Sequence, residues 1–192
     1  MSTNQMHSAA ISYIMRGFSI IPLKQQDKRP SIGSWDPYRE RIATTDEVDY
    51  WYRTPKNVGI VTGKVSNVVV LDIDGPDGQD ALASMISRFG DLPPTWISTT
   101  GKGMHYLFRH PGTEIRNSQS KKLGIDFRGD GGYIVAPPSI HPSGAIYTWI
   151  QSPDQDIADL PDWLFEWMTS ERQPAYIDEI LVELGREKPK IE

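Results

Sequence analysis

Two aspartates one residue apart, Asp72 and Asp74, form the first pair in the sequence whose spacing suggests chemistry. They follow an apolar run, residues 68–71, which is rich in β-branched side chains and typical of a strand buried on both faces. Strand side chains alternate between two faces, so both carboxylates point the same way. Like charges this close disfavour ionisation unless a cation lies between them. The pattern indicates a divalent metal with oxygen ligands; the alternative is a strand running into an Asp-rich turn.

Two more polar residues occur in later segments that resemble strands. His105 opens the alternating segment 105–109, and Asp126 lies within the short segment 125–128. If these segments and the strand before Asp72 pair in one antiparallel sheet, all these side chains can meet on one face. Three carboxylates, a histidine and a glycine-rich turn are the set that two-metal phosphoryl or nucleotidyl transfer requires. The turn 100–103 (T-G-K-G) precedes His105, and its glycines allow backbone N–H groups to approach phosphate.

The segments that must position these residues predict a chain of mixed helices and strands. Residues 44–47 carry a capping-box signature, which predicts a helix that ends before Pro55. Residues 75–78 (G-P-D-G) predict a turn after the central strand, followed by a helix over 82–89. The remaining predicted elements are helices at 9–15, 162–168 and 177–184, strands at 18–23, 58–62, 96–99 and 146–149, a hairpin of 125–128 with 133–136, and a linker at 152–159.

Composition excludes several classes of protein. The 192 residues are 38% hydrophobic and 23% charged, which is ordinary for a globular protein large enough for one substantial core. The sequence contains neither a continuous apolar stretch long enough to span a membrane nor a signal-peptide pattern, so no membrane partner is expected. The absence of cysteine excludes disulfides and fits a reducing compartment, which predicts a cytoplasmic location.

The net charge of −5 is unevenly distributed along the chain. Residues 101–150 carry six Lys and Arg against three Asp and Glu, whereas residues 151–192 carry four against eleven. The acidity is therefore concentrated in the C-terminal segment, and the middle of the chain is locally positive. A positive middle is compatible with phosphate binding, although six charges also fit a solvated face.

The segments that carry these residues resemble the catalytic motifs of the archaeo-eukaryotic primase superfamily, in particular its primase-polymerase (Prim-Pol) branch in plasmid and phage replication proteins. Residues 71–74 (L-D-I-D) resemble the first motif, 99–105 (T-T-G-K-G-M-H) the second and 125–129 (I-D-F-R-G) the third. The likeness covers about residues 7–168 and extends to segments 17–22, 28–30, 61–63, 131–139 and 160–164.

The resemblance implies a role for each motif residue. Asp72, Asp74 and Asp126 would be catalytic and bind two Mg²⁺ or Mn²⁺ ions, and His105 would hold the triphosphate. Further nucleotide contacts are expected from Lys102, Gly103, Arg128, Ser139 and His141. The chain departs from the family pattern at Gly103, where many members carry a serine whose hydroxyl contacts phosphate; the Gly103 backbone N–H or Lys102 would substitute. Tyr133 is the candidate aromatic for sugar discrimination.

The fold implied is α+β, with an antiparallel sheet that resembles an RNA-recognition motif, a smaller N-terminal α/β lobe and the active site in the cleft between them. Residues 1–168 would form the catalytic domain, and residues 169–192 a C-terminal helix and a charged tail. The expected activity is template-directed nucleotide polymerisation, as DNA polymerase, primase or both. Expected partners are a DNA template and primer, nucleoside triphosphates and a replicative helicase domain or protein. The chain is expected to be either a stand-alone protein or the first domain of a larger one.

Two alternative functions fit parts of the sequence. The D-I-D-G segment at 72–75 also resembles the nucleophile strand of haloacid-dehalogenase-like phosphatases, but Pro76 replaces the Thr or Val of that family. A catalytically silent nucleic-acid-binding module in replication is the other alternative, against which the three aspartates argue. Metal-dependent incorporation of deoxynucleotides on a primed template would separate the three hypotheses.

Overall fold

The computed structural model describes residues 3–151, 155–170 and 173–187. This part of the chain is α+β, as predicted, and all its strand pairs within sheets are antiparallel. Besides a short 3₁₀ helix, Asp36–Arg39, the helices are α1 (Thr3–Met15), α2 (Thr45–Trp51), α3 (Gly75–Phe89), α4 (Asp162–Thr169) and α5 (Gln173–Glu183). The strands are β1 (Ile20–Lys24), β2 (Lys56–Val61), β3 (Val68–Asp74), β4 (Trp96–Thr99), β5 (Gly103–Arg109), β6 (Ser118–Ser120), β7 (Ile125–Arg128), β8 (Tyr133–Ala136) and β9 (Thr148–Trp149).

A small sheet of order β1-β2-β8, with α1 and α2 packed on it, forms the N-terminal lobe, to which the later strand β8 returns. Helix α2 begins at the predicted capping box. The Thr44 hydroxyl accepts from the Glu47 amide at 3.3 Å, and the Glu47 carboxylate accepts from the Thr44 amide at 2.8 Å. These reciprocal bonds satisfy two donors that the first turn of a helix leaves unpaired.

The larger sheet has the order β6-β7-β3-β5-β4-β9, so the aspartate-bearing strand β3 lies at its centre. Alternation along β3 divides its apolar side chains between two cores. Leu71 and Ile73 pack with α3, α4 and α5 on one face, whereas Val68 and Val70 join the core of the N-terminal sheet on the other. β3 is buried on both faces because each face has its own covering layer.

The predicted turn at residues 75–78 is wrong, because α3 begins at Gly75, directly after β3. Pro76 occupies the first helical turn, where a backbone N–H would have no partner within the helix. Asp77 in the same turn places a negative charge near the positive end of the helix dipole. Gly78 serves close packing instead of a turn: a Cβ there would collide with the backbone carbonyl of Gly124.

The predicted hairpin of 125–128 with 133–136 is also wrong, although both strands have the predicted bounds. β7 pairs with β3 and β6, whereas β8 pairs with β2 in the small sheet. The intervening turn is held on the small-sheet side, since the Thr62 hydroxyl donates to Gly129 O at 2.6 Å and the Thr62 amide donates to Gly132 O at 2.9 Å. The chain therefore crosses from one sheet to the other at this turn.

The two C-terminal helices cover the face of the large sheet opposite the N-terminal lobe. Ile180 and Leu181 of α5 are buried in the same core as Leu71, and Arg88 of α3 forms ion pairs with Glu179 and Glu183 at 3.0 and 2.9 Å. The boundary at residue 168 stays a prediction. Of the predicted linker, residues 152–154 lie outside the described part, as do residues 188–192 of the tail. None of the described helices is long and apolar enough to cross a membrane.

Candidate active site

A row of polar side chains crosses the large sheet on the face that meets the N-terminal lobe. In the strand register, Asp72 on β3 is directly opposite His105 on β5 and also opposite Asp126 on β7. The row continues to Gln119 on β6 and to Ser98 on β4. Since directly opposed residues of antiparallel strands share a face, the sheet brings together the side chains that the sequence separates by more than 50 residues.

The central part of this row opens into a cavity of about 410 Å³ between the two sheets. The large sheet contributes Asp72, His105 and Arg128, and β8 of the small sheet supplies the facing wall. The complete lining is Lys28, Trp35, Asp72, His105, Asn117, Arg128, Gly131, Gly132, Tyr133, Ile134, Val135 and Tyr147. Its volume lies in the range of about 300–1,000 Å³ usual for small-molecule sites.

Asp72 is a carboxylate held where ionisation is unfavourable. Its side chain is 15% exposed. Burial raises the pKa of Asp72 to about 7, and the neighbouring charges of Asp74 and Asp126 add to the effect. A bound cation would offset both causes, since it supplies the opposite charge that the carboxylates lack. Hard oxygen donors of this kind suit Mg²⁺ or Mn²⁺.

Asp126 is already engaged by other side chains. Its Oδ2 accepts a hydrogen bond from Arg128 Nη2 at 2.8 Å and another from Gln119 Nε2 at 3.1 Å. Burial raises the pKa of Asp126 in spite of the lowering effect of Arg128 and Gln119. Over the described ranges, no three His, Asp or Glu side chains form a group that could hold a metal ion. The donor chemistry thus fits a divalent cation at Asp72 and Asp74, while Asp126 is turned toward Arg128.

His105 is a neutral, buried imidazole. Its Nε2 lies 3.5 Å from Asp72 Oδ1, but burial, together with the charges of Lys28 and Arg128, lowers the pKa of His105 to about 3. The contact is therefore not an ion pair at neutral pH. His105 Nδ1 is buried and has no hydrogen-bond partner among the described residues, and the ring packs 6.1 Å from that of Tyr147. Most buried polar side-chain atoms in folded proteins are hydrogen-bonded, so this unpaired nitrogen is unusual.

The turn before His105 is closed on itself. The backbone amides of Lys102 and Gly103, expected to face phosphate, both donate to the Thr100 hydroxyl, at 3.1 and 2.9 Å. Gly103 is opposite Asp74, and a Cβ there would overlap the carbonyl of Ile73. Tight pairing with β3 explains why glycine stands where the family pattern has serine.

Four of the six predicted nucleotide-binding residues lie outside the cavity lining: Lys102, Gly103, Ser139 and His141. Ser139 is fully buried, and its hydroxyl exchanges hydrogen bonds with the backbone of Val58, at 2.9 Å from N and 3.2 Å from O. His141 bonds to Ser143 at 2.8 Å, and its ring fills the space that a side chain at Gly101 would need. Both residues hold loops in place, and their nucleotide contacts stay predictions.

Among the polar and aromatic lining residues, four were not predicted as site residues: Lys28, Trp35, Asn117 and Tyr147. Lys28 lies in a segment that matches the family pattern, and its positive charge was the signal that could have indicated a site residue. Tyr147 had none, because its position depends on packing between His105 and His141, with ring distances of 6.1 and 6.0 Å. Burial raises the pKa of Tyr147, and the charges of Asp72 and Asp74 add to the effect. The Tyr133 hydroxyl donates to Lys28 O at 3.1 Å.

Comparison with known proteins agrees with this geometry. The sequence profile described as "Bifunctional DNA primase/polymerase, N-terminal" (Prim-Pol) matches residues 10–163, which include all three motif segments. A search of curated protein sequences finds no match.

Proposed function

Because the chain belongs to the Prim-Pol family of bifunctional DNA primase/polymerase N-terminal domains, we propose that it catalyses template-directed nucleotidyl transfer, as DNA polymerase, primase or both. The observation that carries the proposal is the row of Asp126, Asp72 and His105 on one sheet face, of which Asp72 and His105 line a cavity between two sheets. The cleft between the sheets is accordingly the proposed active site, and the large antiparallel sheet is its RNA-recognition-motif-like platform.

Asp72 and Asp74 are the proposed first ligands of the metal ions, with Asp126 completing the set. When bound, two Mg²⁺ or Mn²⁺ ions would acidify the attacking hydroxyl and neutralise the leaving pyrophosphate. The contribution of the chain is a group of mostly buried carboxylates. Burial, together with the closeness of Asp74 and Asp126, raises the pKa of Asp72, so a bound cation would be stabilised by the opposite charge.

The positive groups of the cavity are the proposed triphosphate site. Lys28 and Arg128 line the same cavity as His105, and the charges of both act on that ring. Arg128 offers a planar guanidinium suited to phosphate oxygens, and Lys28 a compact point charge. The negative charge of the nucleotide would thus be neutralised by Lys28 from the small lobe and by Arg128 from the large sheet.

The template and primer are proposed to bind near the same cleft through the locally positive middle of the chain. Such binding relies on phosphate contacts, so it would be tolerant of sequence and weakened by salt. We place this activity in the replication of a plasmid, phage or other mobile element, beside a helicase domain or protein.

Incorporation of a labelled deoxynucleotide on a primed template, with Mg²⁺ or Mn²⁺ and with excess EDTA, tests the proposal. Metal-dependent extension is expected, and synthesis on an unprimed template would add primase activity. The Asp72→Asn variant controls for contaminating polymerase. A well-folded protein that binds DNA but extends nothing with either metal would instead be a silent nucleic-acid-binding module.

A further inference from the structure

Ser98 lies beside His105 in the polar row, and both residues carry an unpaired buried atom. Ser98 on β4 is directly opposite His105 on β5. Ser98 is 0% exposed and His105 is 5% exposed. Within the described part of the chain, neither Ser98 Oγ nor His105 Nδ1 has a hydrogen-bond partner. Leaving a buried polar atom unpaired is unfavourable, so two such atoms at adjacent positions are candidates to pair with each other.

Strand geometry makes this pairing attainable. Directly opposed side chains of antiparallel strands have Cβ atoms about 4.5–5.5 Å apart. Nδ1 is the ring nitrogen nearer the histidine backbone, and the hydrogen of a serine hydroxyl rotates about the Cβ–Oγ bond toward an acceptor. We propose that Ser98 is a positioning residue for His105: its hydroxyl donates to Nδ1 and thereby fixes the ring as the Nε2–H tautomer.

The other ring nitrogen demands the same tautomer. His105 Nε2 lies 3.5 Å from Asp72 Oδ1. With a metal ion bound as proposed, Asp72 would be ionised and could only accept hydrogen bonds, so the nitrogen that faces it would carry the hydrogen. A neutral imidazole has a single N–H, which leaves Nδ1 with a lone pair that needs a donor. The hydroxyl of Ser98 supplies that donor from the neighbouring strand.

This assignment deepens the proposed function and rests on it for its consequence. A triphosphate oxygen in the cavity needs a donor, which the Nε2–H tautomer presents and the Nδ1–H tautomer does not. Without the hydroxyl of Ser98, the neutral ring can exchange between tautomers, and part of the molecules would turn a lone pair toward an anion. Ser98 would therefore affect nucleotide binding without touching the nucleotide.

Ring ¹⁵N chemical shifts of the full chain test the tautomer directly. His105→Gln assigns the His105 signals by their loss. In the wild type, His105 is expected as Nε2–H, and Ser98→Ala is expected to add the Nδ1–H form. Ser84→Ala is the matched control, since Ser84 Oγ on α3 is also buried without a partner. It should leave the His105 shifts unchanged.

Unchanged His105 shifts in Ser98→Ala would overturn the proposal. So would an Nδ1–H tautomer in the wild type, an outcome that does not depend on the variant folding.

Titration with a deoxynucleoside triphosphate and Mg²⁺ gives the second readout. Ser98→Ala should weaken binding about three- to tenfold, whereas Ser98→Thr, which keeps the hydroxyl, and Ser84→Ala should bind as the wild type does. Equal affinity of Ser98→Ala and wild type would count against the role of Ser98. If the wild type binds no triphosphate, the proposed function fails, and the ring shifts still decide the assignment of Ser98.

Discussion

Arg128 and Asp126 stand two residues apart on β7, and Arg128 Nη2 donates to Asp126 Oδ2 at 2.8 Å. The period of two that brings both side chains to one sheet face also places a proposed phosphate contact against a proposed metal ligand. The guanidinium of Arg128 therefore pairs with Asp126 in the free protein. A metal ion would compete for Asp126, and a nucleotide phosphate would compete for Arg128.

Replacing Arg128 separates these two roles. In Arg128→Ala we expect triphosphate binding to weaken about ten- to hundredfold, the usual range for a hydrogen bond to a charged group. Mn²⁺ binding should hold or tighten, because Asp126 is released. Calorimetric titration with each ligand measures the difference. Arg116→Ala is the control, since that exposed residue has only a 3.9 Å ion pair with Glu114. Equal losses for metal and nucleotide would contradict the assignment.

The three aspartates should be needed for catalysis but not for folding. Asp72→Ala, Asp74→Ala and Asp126→Ala are each expected to retain less than about a tenth of wild-type nucleotide incorporation, because each removes a ligand of the metal site. Exposed Asp91, outside the cavity lining, gives the control variant Asp91→Ala. Primer extension and circular dichroism are measured on the same preparations. A folded variant with most of its activity intact would show that its carboxylate is not a ligand.

Asp72 should also reduce the stability of the metal-free protein. Its pKa is raised to about 7, so its favourable contribution exists below about pH 4 and is lost as pH rises toward 7. With EDTA present, Asp72→Asn should therefore exceed the wild type in free energy of unfolding by about 2–4 kcal/mol at pH 8. The gap should narrow toward pH 4. Mn²⁺ should raise the melting temperature of the wild type more than that of the variant. Equal stabilities at pH 8 would argue against a strained carboxylate.

His105 should matter for the nucleotide far more than for DNA. His105→Ala removes an imidazole that lines the cavity, whereas the basic residues proposed to contact template phosphates are unchanged. Labelled deoxynucleotide and labelled primed DNA are titrated separately against the variant. Exposed His7, paired with Asp49 at 2.6 Å, supplies the control variant His7→Ala. A comparable loss of affinity for both ligands would rule out a triphosphate-specific role.

Asp130 should be a structural residue. Its carboxylate accepts from the amides of Ile115 and Lys64, at 2.8 and 2.9 Å, and contacts His110 Nε2 at 3.1 Å. We expect Asp130→Ala to lower the free energy of unfolding by about 2–4 kcal/mol, because it leaves these donors unpaired. Urea denaturation measures the change, and Glu114→Ala, which removes an exposed pair, is the control.

The effect of Asp130→Ala should depend on pH. Burial alone would raise the pKa of Asp130, but hydrogen bonds from the two amides and His110 lower it overall. The contribution of this carboxylate is then present above its unfolded pKa of about 4 and is lost as pH falls further. The difference between wild type and variant should therefore shrink in acid. A difference that grows in acid would contradict the lowered pKa.

The sequence pattern correctly predicted those parts of the fold that depend on residues close together in the chain. The strands 96–99, 125–128 and 133–136 have the predicted bounds, and the capping box begins α2 as expected. Alternation along β3 placed Asp72 and Asp74 on one face, since period two follows from strand geometry alone. The family motifs then brought His105 and Asp126 into the same prediction.

Choices made by tertiary packing were not predictable from the sequence. β8 joins β2 because Thr62 holds the preceding turn, which no local pattern around residue 133 shows. The engagement of Asp126 by Gln119 depends on β6, a three-residue strand without a hydrophobic pattern. Tyr147 lines the cavity because His105, from a distant segment, and the nearby His141 pack against its ring.

Because the side chains of β3 alternate between two environments, an error in the pairing register of this strand would be severe. A slip of one residue in its pairing with β5 would turn Leu71 and Ile73 toward the cavity and bury Asp72 and Asp74 among the helices. Such a molecule would lose its core and its chemistry together. Inserting one residue into β3 should thus yield insoluble protein and not a folded, inactive one, so any chain that folds this strand at all carries its carboxylates on the correct side.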